Sequence, residues 1–568
     1  MSDVLFIILR ALRAPLIVLI GVYGISIAGL TMIPGADADG RPGPPMSIFH
    51  AFYVMSYTAT TIGFGEIPQA FTDTQRLWVT FSIYLSVVGW AYTLGSVFTL
   101  VNDRTFRGLL ARGLFMWRVK RIGEPFYILC GYGESGARLA RAMDRLGRRL
   151  VIIEARPERA ALIAIQDYAT PPLVLNEDAR LPDVLEDAGI RSSECIGLIA
   201  VAGADDINQA IGIGARVLNP SIRIVTRAMS HVAKVNLESF GGVEVINPFE
   251  TFAENVGIAL SAPEVLRIEE WLTASPGSPC PPLVVPPRGR WVLVGFGRFG
   301  HTIADVLDRE GIEWRAHDPA IADASERRLL HGDYTENLLH EAGIDDAVAI
   351  VAGTDNDAVN LGVATLARRV RPDIFVVIRQ NSVRDRALVE AARANFEFVQ
   401  AELMVHECLQ LLRTPMLARF IMQLREEGNE AAAAAIDLVR SEVGEGAPQA
   451  WLFECDIMQP GMFTAFLQRG GEPFRISHLA TDPTNPEERM PIAALMLERR
   501  GTRRTLPAAD TMLQPGDRLL FVGDNSSCRL QRRYLTEPGT VTWVCSGSEP
   551  ARGFVFRWLA QRRRARST

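Results

Sequence analysis

The sequence predicts a two-span α-helical membrane module followed by tandem α/β Rossmann-like domains. Three observations carry this reading: two long uncharged segments near the start, a glycine-punctuated loop between them, and a strand–glycine loop–helix pattern that occurs twice. No charge falls between Arg13 and Asp37, and none between Arg76 and Asp103. About 20 apolar residues suffice to cross a hydrocarbon core of roughly 30 Å, so both intervals qualify as spans. Residues 42–65 are also uncharged, but Pro42, Pro44, Pro45, Gly63 and Gly65 interrupt them. That stretch therefore reads as a loop, a short helix over residues 47–60 and an irregular exit. Irregular backbone at membrane depth is tolerated only where protein buries it or it lines a wet cavity. Leu77–Asn102 is the second long helix, with Gly89 and Gly95 in its interior. A helical glycine costs about 1 kcal/mol relative to alanine, so each marks a gate hinge or a close helix contact, and the two readings balance. Phe98 is a candidate constriction by position alone.

The exit loop reads Thr60-Thr61-Ile62-Gly63-Phe64-Gly65-Glu66. Threonine, a β-branched residue, glycine, an aromatic and glycine in this order resemble the K⁺-channel selectivity filter, in which backbone carbonyls from four copies replace an ion's water shell. The glycines suit such a loop because carbonyls can alternate toward one axis only where some residues adopt left-handed angles. The resemblance implies an assembly of four chains around K⁺ as cargo. Two departures stand out. Phe64 lacks the hydroxyl of the commoner tyrosine, and Glu66 replaces the commoner aspartate. Tyr57 also occupies a pore-helix position that often carries an acid. None of these removes the carbonyl ladder of Thr61, Ile62, Gly63 and Phe64.

Basic residues flank the spans on one side: Arg10 and Arg13 before the first, and Arg104, Arg107, Arg112, Arg118, Lys120 and Arg121 after the second. The intervening loop is net acidic (Asp37, Asp39, Arg41, Glu66, Asp73, Arg76). The positive-inside rule then places both termini in the cytoplasm and the filter loop outside the cytoplasmic membrane. A signal peptide fits residues 1–33 poorly, since the apolar run is too long and no small-residue cleavage pattern stands out. A net charge of −6 over 568 residues gives no sign of general nucleic-acid binding. The seven cysteines are scattered, and none forms C-x-x-C. That pattern favours reduced thiols over disulfides or a zinc site.

The repeat begins with the apolar strand Phe126-Tyr127-Ile128-Leu129-Cys130 running into Gly131-Tyr132-Gly133-Glu134-Ser135-Gly136. Its second copy is Trp291-Val292-Leu293-Val294 running into Gly295-Phe296-Gly297-Arg298-Phe299-Gly300. Each copy has G-x-G-x-x-G before an amphipathic helix, and an acid (Glu154, Asp318) 23 residues after the first glycine. Strand, loop, helix and acid together, twice over, specify a dinucleotide-binding pattern. Later runs repeat too: residues 181–190 parallel 336–344, and Ile199-Ala200-Val201-Ala202-Gly203 parallels Ala349-Ile350-Val351-Ala352-Gly353, with Asn208 and Asn360 following.

These motifs resemble the RCK domain, the regulator of potassium conductance, over roughly residues 126–540. With the filter, the chain resembles a two-span prokaryotic K⁺ channel subunit with tandem RCK domains. The resemblance implies a homotetramer whose eight RCK domains form a ring and act on the inner helices through a linker. The expected organisation is a pore domain at 1–101, a gating linker at 102–125, and a first RCK domain at 126–275. A Pro-rich linker at 276–290 precedes a second Rossmann-like unit with its helix at 291–428. A strand-rich C-terminal subdomain at 429–540 and a basic tail at 541–568 complete it. Helices are expected over 249–272 and 402–427.

In such a unit the glycines admit a pyrophosphate, the helix N-terminus faces it, and the strand-end acid bonds ribose hydroxyls. The candidate nucleotide residues are Gly131, Gly133, Gly136, Glu154 and Asp178 in the first copy. Gly295, Gly297, Arg298, Gly300, Asp318 and Asp333 are their counterparts in the second. The acids favour NAD or an adenine nucleotide over a 2′-phosphorylated one. Arg298 is attractive where Glu134 repels, so the second site is expected to bind more tightly. Asp178, Asp205, Asp206, Asp333, Asp355 and Asp357 admit Ca²⁺ in principle, but no compact calcium loop is present. The function read here is a ligand-gated K⁺ channel rather than an enzyme. A regulatory subunit of a K⁺ transport system is the first alternative. A membrane-anchored NAD-dependent oxidoreductase is the second; it lacks a supported proton-transfer histidine and leaves the filter loop unexplained.

Overall fold

A computed structural model describes residues 2–546 except 37–40, 68, 322–327, 383–385, 387–389, 391, 414 and 468–473. Asp37, Asp39 and the basic tail beyond residue 546 lie outside the described residues. The chain divides into two units. The first comprises residues 1–124, 173–175 and 186–194, and the second the remainder.

The first unit is built from α1 (Ser2–Met32), α2 (Ile48–Ala59), α3 (Asp73–Asn102) and α4 (Arg104–Val119). Segments of α1 and α3 are long and apolar enough to cross a membrane. Ile17, Ile20, Tyr84 and Val88 are exposed on them, as expected of surface matched to lipid. Ser47 caps α2, and Thr72 with Gln75 forms a capping box that starts α3 four residues earlier than the apolar run suggested. The helices α1 and α3 pack closely: a Cβ on Gly29 would overlap the Trp78 ring, whose Nε1 donates to the Ser26 carbonyl at 3.0 Å. Gly89 is likewise a contact, since a Cβ there would lie 3.2 Å from Val22 Cγ2. Gly95 has open space around it. The linker is mostly the amphipathic helix α4, which Asp103 caps and whose Arg112 pairs with Asp187.

In the second unit each sequence repeat folds as a parallel, doubly wound sheet. The first contains, in spatial order, Arg149–Ile153, Phe126–Cys130, Cys195–Ala200, Arg223–Arg227 and Val243–Ile246. The second contains Leu329–His331, Trp314–Asp318, Trp291–Val294, Ala349–Ala352, Phe375–Gln380 and Phe396–Val399. In each, the first strand lies between the second and the strand after the crossover. The order therefore reverses beside the glycine loop, where such sheets leave a ligand crevice.

The helix expected over 249–272 is two helices, Pro248–Ser261 and Pro263–Thr273. Pro263 disfavours helical angles at Ala262, whose φ and ψ are −143° and 66°. The helix expected over 402–427 is helical over Gln400–Arg413 and Pro415–Glu427, and residue 414 between them lies outside the described residues. The region after 429 does not start strand-rich. It opens with the helix Asn429–Glu442, whose alanine run is a strong helix former. An antiparallel sheet follows in the order Gln449–Glu454, Arg518–Gly523, Ile492–Arg499, Thr502–Thr505.

The two Rossmann copies exchange helices. Pro248–Ser261, which follows the first sheet, packs on Arg298–Arg309 of the second copy. It delivers Phe249, Phe252, Val256 and Leu260 into a core with Phe299, Ile303, Leu307 and Phe398. Gly257 permits the approach, because a Cβ there would lie 2.9 Å from Val306 Cγ1. Reciprocally, Gln400–Arg413 packs on α5 (Glu134–Arg145) of the first copy, with Glu402 paired to Arg138 at 3.0 Å.

Candidate functional site: a filter loop and two Rossmann clefts

The filter loop hangs from the C-terminus of α2. Thr60 N–H donates to Ser56 and Thr61 N–H to Thr58, both at 3.1 Å, while Ile62 N–H reaches the Tyr57 carbonyl at 2.9 Å. Thr61, Gly63 and Gly65 have φ of 63°, 66° and 83°, so alternate residues are left-handed. Glycine accepts this freely; the β-branched Thr61 does so under strain. Thr60, Thr61, Ile62, Gly63, Phe64 and Gly65 are all exposed in the single chain.

The two glycine loops are near-superimposable in their constraints. Gly131 and Gly295 have φ of 97° and 92° and lie against the backbone of Ala202 and Thr354. A Cβ on Gly136 would lie 2.1 Å from the Gly131 carbonyl oxygen, and one on Gly300 2.3 Å from that of Gly295. The first and third glycines thus fix the loop to the sheet and helix. The second differs between copies. Gly297 has no neighbouring atom within 4 Å of a Cβ, whereas Arg159 Nη1 lies 3.3 Å from the corresponding point on Gly133. Open space above one glycine and a guanidinium above the other both suit an approaching phosphate.

The strand-end acids buttress these loops. Glu154 accepts from Tyr132 N–H at 2.5 Å and Arg156 N–H at 2.9 Å. Asp318 accepts from Phe296 N–H and Ala320 N–H, both at 2.7 Å. Glu154 is 5% exposed while Asp318 is half-buried, so the second acid is the more accessible to a ribose. Asp178 forms a close pair with Arg180, and the Arg180 guanidinium holds its carboxyl below the usual value. Asp333 is exposed, and with Asp318 and Asp355 it adds negative charge around Tyr334. Burial first, then these carboxylates, push the Tyr334 phenol up to about 12. Asp205 and Asp357 have matched structural roles. The first accepts from Met229 N–H and Ser230 N–H, the second from Asn381 N–H and Ser382 N–H. Among the described residues no group of His, Cys, Asp or Glu is arranged to hold a metal ion.

An arginine cluster was not legible in the sequence. Arg227 ends its strand and Arg379 stands one residue before the end of the equivalent strand, each with its carbonyl accepting from an equivalent asparagine, Asn208 or Asn360. The Arg379 guanidinium lies 5.1 Å from the Phe249 ring centre and that of Arg298 lies 5.9 Å away. Burial pulls the pKa of both Arg227 and Arg379 below the ordinary arginine value. Asp205 and Asp355 oppose this, and the positive charge of Arg298 adds to it. The available signal was the matched arginine 19 residues after each asparagine. The exchanged helix that brings Phe249 alongside is a long-range event.

Comparison with known proteins fits this geometry. Residues 127–248 and 291–398 match the TrkA-N domain. A Trk system potassium uptake protein TrkA homolog of Pyrococcus horikoshii is 34% identical over 163 residues, covering 26% of this chain and 68% of that protein. Potassium channel protein 1 of Methanocaldococcus jannaschii is 28% identical over 229 residues, covering 40% of this chain and 66% of that one. Among solved structures, one described as the GsuK channel is 16% identical and covers 94% of this chain and 99% of that chain, with a TM-score of 0.48. The chain spans 66%, 34% and 57% of the lengths of three curated relatives it matches. The repeated glycine loop, the doubled sheet, the TrkA-N match and the 34% identical TrkA homolog make one conclusion: the chain belongs to the TrkA-N domain family.

Proposed function

We propose that this chain is the subunit of a K⁺-selective channel in the cytoplasmic membrane, gated by a nucleotide bound in its Rossmann clefts. The observation that carries the reading is the filter: Thr-Thr-Ile-Gly-Phe-Gly on alternately left-handed backbone, suspended between two membrane-length helices. Its residues are exposed in one chain, a state that membrane-depth backbone tolerates only when partners bury it. Four copies around one axis supply those partners, with the filter outward and the termini inward. The curated relatives named as potassium channels and potassium uptake proteins support transport over oxidoreduction.

The clefts hold NAD or an adenine nucleotide by elementary means. The N-terminus of Arg298–Arg309 faces the phosphates across Gly297, Arg298 adds a cation, and Asp318 takes the ribose hydroxyls. Occupancy favours one relation of the exchanged helices over another. That bias is transmitted through α4, the covalent link to the inner helix α3. Gly95, where a Cβ would meet no atom within 4 Å, is the better-placed hinge, because Gly89 serves helix packing. Ca²⁺ remains a candidate modulator to be included in the test.

The test is flux in liposomes holding the purified full chain, comparing K⁺ and Na⁺ gradients with and without NAD, ADP or Ca²⁺. K⁺-selective flux altered by one ligand is expected. Ligand binding without flux under any condition would favour the regulatory-subunit reading instead. Calorimetry of Arg298→Glu tests the cleft: affinity should fall about tenfold or more through loss of a charge-assisted contact and gain of repulsion. Equal affinities for variant and parent would remove Arg298 from the site.

A further inference from the structure

Phe64 leaves the filter without the hydroxyl expected at that position, yet α2 supplies one from Tyr57. Tyr57 Oη donates to the Gly65 carbonyl at 2.5 Å, and the tyrosine is only 5% exposed. The backbone carbonyl of the same residue accepts from Ile62 N–H at 2.9 Å and Gly63 N–H at 3.4 Å. The same carbonyl accepts from Thr60 Oγ1 at 3.4 Å, so Tyr57 is hydrogen-bonded to four filter residues, three through its backbone and one through its side chain. Its ring meets Phe64 edge-on at 5.5 Å, and Tyr53 stacks on Phe64 at 6.3 Å, closing an aromatic cuff behind the loop.

The acid after the filter is held elsewhere. Glu66 is bidentate to Arg76 at 2.8 and 3.1 Å and accepts from Phe71 N–H at 2.9 Å. It anchors the outer loop to α3, and the Tyr57 hydroxyl anchors the filter to α2. A backbone left-handed at Thr61, Gly63 and Gly65 needs such anchors, because flipping one peptide relieves the strain at Thr61 and turns a carbonyl off the axis.

We propose that Tyr57 is the positioning residue of the filter, its hydroxyl supplying the brace that Phe64 cannot. By fixing the Gly65 peptide it holds the ladder from Thr61 to Phe64 in register, and so sets discrimination of K⁺ from Na⁺ and resistance to inactivation. The inference rests on the channel reading above.

The experiment compares the full chain with Tyr57→Phe in liposomes. The variant should lose about fivefold in K⁺ over Na⁺ permeability, the factor one neutral hydrogen bond carries. Its flux should also decay faster in low external K⁺, with the decay slowed as external K⁺ is raised. Calorimetry with NAD should be unchanged, because the substitution is far along the chain from the clefts. A parent that passes no K⁺-selective flux overturns the channel reading and this one together. A conducting parent with an indistinguishable variant overturns this inference alone. Where the variant conducts nothing, titration of purified variant with KCl and NaCl decides. Lost preference at the parent's elution volume supports the brace, and retained preference overturns it. An aggregated variant assigns Tyr57 to folding and also overturns it.

Discussion

The glycine loop of the second cleft makes a prediction that separates packing from ligand approach. Gly300→Ala puts a Cβ 2.3 Å from the Gly295 carbonyl oxygen, with the carbonyl carbon 3.2 Å away. Both atoms belong to a loop pinned against Gly353 and Thr354, so relief requires moving backbone. Overpacking of this kind costs about 1–3 kcal/mol, which lowers the melting temperature of a unit this size by roughly 1–3 °C. Gly297→Ala meets no atom within 4 Å, and its φ of −84° suits any residue. Its stability should stay within about 0.5 kcal/mol of the parent. Its methyl, however, occupies the space a phosphate needs, so affinity for NAD or ADP should fall tenfold or more, about 1.4 kcal/mol. Melting curves and calorimetry on the full chain read the two effects separately. Gly297→Ala binding nucleotide as well as the parent, or Gly300→Ala melting at the parent's temperature, would refute the assignment of these glycines.

Two further predictions concern the second unit. His317 is fully buried, and neither ring nitrogen has a hydrogen-bond partner; burial lowers its pKa to about 4, against a slight upward pull from Asp318. Between pH 6.5 and 4 the unfolded chain therefore binds a proton that the native chain refuses. Its contribution is full above pH 6.5 and declines as pH falls, by about 3 kcal/mol in all. His317→Leu should flatten the pH dependence of denaturant unfolding in that window, and an unchanged slope would contradict it. In the C-terminal sheet, Asp517 is 1% exposed and bidentate to Arg499 at 2.8 and 2.7 Å. Arg499→Ala strands that carboxylate and should cost roughly 3 kcal/mol; a melting temperature equal to the parent's would show the pair to be dispensable.

What the sequence made legible was local. The spans, the filter tetrad and both glycine loops are short patterns whose spacing dictates backbone angles. The strand-end acids were found by counting, yet the count could not show that Glu154 is buried behind its loop with both oxygens on backbone N–H groups. The helix break at Pro263 was readable in principle, but a sustained apolar pattern on either side masked it. The alanine run before residue 442 was a missed propensity signal. Arg227 and Arg379 were out of reach, since their meaning depends on which element of one copy lies against which element of the other, and Arg159 was missed because its approach to Gly133 follows from the fold of its own copy. Tyr57 was visible only as an unusual residue; its bond to Gly65 needed coordinates.

The exchange of helices between the two Rossmann copies has a consequence for how the second unit can vary. In two identical chains, any substitution at such a junction is made twice and must be compatible with itself. Here both partners are encoded in one polypeptide, at a high effective concentration that mass action cannot dilute. Each side is thus free to specialise: one copy carries Glu134 where the other carries Arg298, and Phe249 where the other carries Glu402. A single covalent connection turns a symmetric clasp into a handed one, whose two clefts need not be alike.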